Sequence, residues 1–163
     1  MSDEPRDRAR RDEDEAERLD RELLELLNEL RVVMPGVQVL FGFLLTVPLQ
    51  TGFTRLDHFQ RMVYFVTLIL VTAASAFLMA PSAFHRLTFR HHQKPYLVRL
   101  GTSQTIAGLV LLALAMNGAL MLEADILFHS TTVIIVVAGM ASLFAWLWFG
   151  LAWVRLKSGK REW

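Results

Sequence analysis

The feature that most constrains this chain is the run from Arg31 to Gln50, RVVMPGVQVLFGFLLTVPLQ, which has no charged side chain between Val32 and Leu49. A helix rising about 1.5 Å per residue needs about 20 predominantly apolar residues to cross a bilayer. The run is long enough, and three later segments repeat its character. The pattern predicts an all-α polytopic membrane protein: a four-transmembrane-helix bundle preceded by an N-terminal amphipathic cytoplasmic helix. The expected organisation is a charged helix over 1–31, a membrane bundle over 32–154 with spans at about 32–50, 62–84, 102–122 and 131–154, and a basic tail over 155–163.

Composition matters here through its segregation. The first 31 of the 163 residues hold 12 of the 16 acids and seven of the 17 Lys and Arg. The net charge of +1 is therefore a sum over an acidic tail and basic flanks, and points to no nucleic-acid partner. The absence of cysteine excludes disulfides, thiolate chemistry and Cys-based metal sites. The acidic N-terminus lacks the short apolar run and small-residue cleavage site of a secretory signal, so the first span is the expected insertion signal.

Orientation follows from the basic residues. The N-terminal segment holds seven, the 85–100 loop four (Arg86, Arg90, Lys94, Arg99) and the C-terminal segment four (Arg155, Lys157, Lys160, Arg161), while the other two loops hold two and none. With four spans, all the rich segments share one side, and basic loops stay cytoplasmic. Both termini are expected in the cytoplasm and the protein in the cytoplasmic membrane. Arg86, Arg90, Lys94, Arg99, Arg155 and Lys157 are the expected contacts to lipid headgroups. Trp146, Trp148, Phe149 and Trp153 suit the interfacial belt.

Residues 3–31 read as a helix. Glu4 and Arg8, Asp7 and Arg11, Asp14 and Arg18, and Glu17 and Arg21 stand at i,i+4 in the favourable acid-to-base order. Ala16, Leu19, Leu23, Leu26, Leu30 and Val33 form a 3-4 stripe. The flanking Glu15, Asp20, Glu22 and Glu29 would repel one another in a parallel homodimer. The stripe is expected to dock on the protein's own bundle or on a cytoplasmic protein partner. Pro35 either begins a new helix or kinks one continuous with the tail, and Pro48 ends the span. In the second span, Thr72, Ala76 and Ala80 form a small-residue column that permits close helix approach.

No constellation names a reaction. Outside the N-terminal segment the carboxylates are Asp57, Glu123, Asp125 and Glu162, all at or beyond the span ends. Neither paired-carboxylate nor Ser/His/Asp chemistry can be assembled from them. His85, His91 and His92 share the basic loop, but adjacent histidines point to different faces and no acid completes a metal set. No catalytic residue, cofactor or metal is expected. The polar residues within or at the ends of the spans include Gln38, Gln50, Gln104 and Asn117. Hydrocarbon offers amides no partner, so they either bond between helices or line a polar seam. Gln38, three residues past Pro35, is expected to satisfy loose backbone groups or a neighbouring span.

The runs ELRVVMPGVQVLFGFLLTVPLQ at 29–50, FQRMVYF at 59–65 and APSAFHRLTFR at 80–90 resemble an uncharacterised family of small bacterial four-span membrane proteins, a domain of unknown function. The likeness covers most of residues 20–155. It implies a fold and a membrane location and carries no functional residues with it. The expected role is structural or interactive, in contact with membrane lipid. The alternative is a small ion or solute channel or transporter built as a homo-oligomer.

Overall fold

The computed structural model describes residues 4–88, 94–128 and 130–150. The fold is all-α, with no strand among the described residues. The four helices are α1 (Glu4–Thr46), α2 (His58–Thr88), α3 (Lys94–Leu127) and α4 (Ser130–Ala145), the last running into a π-helical turn, Trp146–Gly150. Each contributes a segment long and apolar enough to cross a membrane: Glu17–Leu49, His58–Phe84, Arg99–Leu127 and Thr131–Trp148. The fourth continues past Ala145 into the π-helical turn. The expected end of span 4 at 154 lies outside the described residues.

The tail and the first span are one helix of 43 residues with Pro35 inside it. At about 1.5 Å per residue it is about 64 Å long, twice the hydrocarbon thickness of about 30 Å. Between the two readings of Pro35, the continuous helix is the one that forms. Proline has no N–H, so the Arg31 carbonyl loses its helical donor. The ring is exposed and lies off the buried stripe, so it crowds no neighbouring helix. That stripe is the 3-4 repeat carried through the proline. Leu30, Val37 and Leu44 are buried, and Leu26, Val33 and Leu40 are half-buried between them. Of the expected helix pairs, Glu17 and Arg21 form no ion pair, and Arg18 instead reaches Glu22 at 2.9 Å. The other pairs involve side chains outside those described.

α2 buries a stripe of the same period: Tyr64, Thr67, Val71, Ala74, Leu78 and Pro81. The small column read from the sequence lies elsewhere, with Thr72 and Ala76 exposed and Ala80 half-buried. On α3 the buried positions include Gly101, Gly108, Leu112, Ala115 and Leu122. α4 buries only Val133 among its described side chains, while Ile134 and Ile135 are 68% and 66% exposed. An exposed aliphatic helix of this kind suits contact with lipid tails.

The contacts divide the chain into two compact units. The first combines Met1–Phe43 with Thr72–Val110. In its core, a Cβ placed on Gly101 would stand 3.6 Å from the Cβ of Pro81 and 3.8 Å from Cδ1 of Leu26, so three helices meet there. One placed on Gly108 would stand 2.7 Å from Cγ of Leu78. Glycine at 108 is what lets α3 approach α2 this closely.

The second unit combines Leu44–Val71 with Leu111–Trp163. Pro48 offers no N–H to the Leu44 carbonyl four residues back. The Tyr64 hydroxyl supplies the missing donor at 3.0 Å, and the Tyr64 ring meets Phe53 edge-on at 5.3 Å. Gly118 leaves room for Thr67, whose hydroxyl donates to the Val63 carbonyl at 2.7 Å.

Candidate functional site

The polar residues singled out in the spans are distributed by helical phase. Gln38 follows the buried Val37 by one residue, about 100° round the helix, and is exposed. It makes no hydrogen bond among the described residues, to backbone or to a neighbouring span, contrary to the role expected of it. Gln104 is half-buried, with its Oε1 enclosed and unpartnered, as is the Thr105 hydroxyl. In the second unit, Gln50 is exposed between two 3-10 turns. Asn117 donates through Nδ2 to the Ala113 carbonyl at 3.0 Å, leaving Oδ1 enclosed and unpartnered. Ser142 donates to the Ala138 carbonyl at 2.7 Å. Thr67, Asn117 and Ser142 thus each donate one turn back to their own helix, which satisfies the two hydroxyl donors and one side of the Asn117 amide without a bond to a neighbouring helix.

One polar cluster escaped the sequence reading. Asp57 precedes α2 and accepts the Gln60 N–H at 2.7 Å, while the Gln60 side-chain oxygen accepts the Asp57 N–H at 3.1 Å. This reciprocal cap satisfies two backbone donors that a helix start leaves open. The same Gln60 donates through Nε2 to Asp125 Oδ2 at 3.0 Å, joining the start of α2 to the last turns of α3. Arg61 donates to the carbonyls of Leu56 and Thr54, both at 3.0 Å, and folds the preceding loop against the helix. The signal was present as D-x-x-Q before an apolar run.

The first unit carries two grooves that α1 keeps distinct in charge. One, of about 350 Å³, lies between α1 and α2 and is lined by Leu27, Leu30, Arg31, Met34, Ser82 and Arg86. The other, of about 370 Å³, lies between α1 and α3, where Glu22, Glu25, Leu26 and Glu29 face Thr102, Thr105, Ile106 and Leu109. Among the described residues no three His, Cys, Asp or Glu side chains assemble as a metal site. Neither Gln38 nor Asn117 lines either groove.

Of the basic residues expected at lipid headgroups, Arg86 and Arg99 are exposed, and Arg99 lines a shallow hollow with Thr102, Ser103 and Ile106. Lys94 begins α3. Arg90, Arg155 and Lys157 lie outside the described residues, as do His91, His92 and Trp153.

No curated protein and no solved structure matches the chain. A family model described as a family of unknown function, DUF6328, matches residues 12–152, which takes in all four apolar segments. The likeness to an uncharacterised family that the sequence suggested holds over that range, and the chain belongs to the DUF6328 family.

Proposed function

We propose that this protein is a multi-pass component of a bacterial cytoplasmic membrane, with both termini in the cytoplasm, acting as a structural or interaction protein without catalysis. The observation that carries the reading is that the most deeply buried side chains are, apart from Thr67, apolar. Leu30, Val37, Ala74 and Leu78 fill one unit, and Val71, Leu112, Ala115 and Leu122 fill the other. A conducting path needs polar groups facing a common space, whereas Thr67, Asn117 and Ser142 donate to carbonyls of their own helices. Leu26 lies beside Gly101 and Pro81, so the stripe is engaged within the protein there, and a cytoplasmic partner would meet exposed side chains of α1 such as Glu17 and Arg21.

A second reading has one observation in its favour. Gln38 stands exposed in the first span, and a Cβ placed on Gly42, one turn on, would meet nothing within 4 Å. A homo-oligomer that turned this face inward would pair the amide and line a shared path. The experiment is Gln38→Leu in proteoliposomes, with melting measured in detergent. If the structural reading holds, melting and ion leak both match the wild type, because the amide makes no bond to lose. Changed conductance at unchanged stability would promote the oligomeric channel.

A further inference from the structure

We propose that the groove between α1 and α2 in the first unit is a binding site for an anionic glycerophospholipid, with the headgroup phosphate held between Arg31 and Arg86. The inference rests on membrane insertion and holds for either reading of the function.

Three features of the groove point to this ligand. The first is charge. Arg31 and Arg86 both line it, and neither forms an ion pair among the described residues. Among the described residues no carboxylate lines the groove, while Glu22, Glu25 and Glu29 of the same stretch of α1 line the groove beside α3. Two planar guanidinium groups and the Ser82 hydroxyl supply directed donors for phosphate oxygens. The second is amphiphilicity. Leu27, Leu30 and Met34 supply an apolar wall beside those donors, as a ligand with a charged head and a hydrocarbon body requires. The third is depth. Arg31 immediately precedes the uncharged run, and Arg86 lies two residues beyond Phe84, where the second apolar segment ends. Both side chains therefore stand at the boundary between hydrocarbon and water, the level of lipid phosphates. The groove's volume of about 350 Å³ accommodates a headgroup and the start of a chain.

The test uses the full chain in a neutral detergent. Phosphatidylglycerol, phosphatidylcholine and inorganic phosphate are added separately, and bound lipid is counted by native mass spectrometry alongside melting. Phosphatidylglycerol should bind and raise the melting temperature. Losing charge-assisted bonds should weaken it about tenfold or more in Arg31→Gln and in Arg86→Gln. Arg86→Lys, which keeps the charge but loses the fork, should fall between Arg86→Gln and the wild type. Arg99→Gln, outside the groove, should bind like the wild type. Equal lipid retention by the wild type and the double Arg31→Gln, Arg86→Gln variant would overturn the site. An equal response to phosphatidylcholine would overturn the requirement for an anionic lipid. Inorganic phosphate reproducing the whole effect would overturn the lipid as its ligand. Lipid counting reads binding directly, so a variant with a lower melting temperature still reports.

Discussion

Gly108→Ala probes the packing of the first unit at its tightest point. A Cβ there would fall 2.7 Å from Cγ and 2.9 Å from Cδ2 of Leu78, and 3.3 Å from the Leu78 backbone nitrogen. Leu78 is 0% exposed, so its side chain has no open space to swing into, and the atom met is a branch point rather than a flexible tip. The helices must separate or Leu78 must leave its rotamer, at a cost of about 1–3 kcal/mol. Alanine favours helix over glycine by about 1 kcal/mol in a soluble helix. In a membrane protein the helices persist in the unfolded reference, so little of that gain offsets the clash. Unfolding in mixed micelles by increasing SDS, followed by tryptophan fluorescence, reads the difference. Leu78→Ala alone should cost about 2–5 kcal/mol through its cavity. In the double variant the added methyl has room, so the double should be no less stable than Leu78→Ala alone. That non-additivity is the signature of a direct contact. Gly139→Ala is the control, since a Cβ there meets nothing within 4 Å. If Gly108→Ala unfolds like the wild type, or Gly139→Ala loses as much, the close approach of α3 to α2 at Leu78 is wrong.

Gln60→Leu removes both the reciprocal cap with Asp57 and the bond to Asp125, and should cost about 1–2 kcal/mol in the same assay. A smaller loss is expected from Asp125→Asn, which keeps an acceptor. Leu26→Glu places a charge against Gly101 and Pro81, and should speed tryptic cleavage at Arg18 and Arg21; unchanged cleavage would mean the stripe is not docked there. The expected orientation is tested by single cysteines on the cysteine-free background. An impermeant thiol reagent should label Asp57→Cys but not His92→Cys in intact cells, and the opposite pattern would invert the topology.

Much of the architecture was legible because membrane spans leave a coarse signal: four uncharged runs, with charge gathered between them. The outward turn of Gln38 could also have been read. Continuing the 3-4 repeat from Leu30 and Val33 reaches Val37, Leu40 and Leu44, and sets Gln38 off the stripe. The cap of α2 was equally present in Asp57 and Gln60. What local pattern does not carry is which helix each face meets. The column Thr72, Ala76 and Ala80 has the composition of a contact, yet two of its residues are exposed and Leu78 is the residue set against a glycine of α3. In an apolar helix almost any face can be turned inward, so periodicity of small residues is a weak guide. The groove between Arg31 and Arg86 was hidden for a related reason: its residues belong to helices far apart in sequence, and only their pairing brings the two arginines to one space.

Ion leak across proteoliposomes holding the wild-type chain at known copy number reads directly whether the bundle conducts. An interior closed by Leu, Val and Ala predicts the leak of protein-free vesicles, at every protein density and applied potential. A leak that rises with protein content, saturates with ion concentration and disappears on heat inactivation would contradict it.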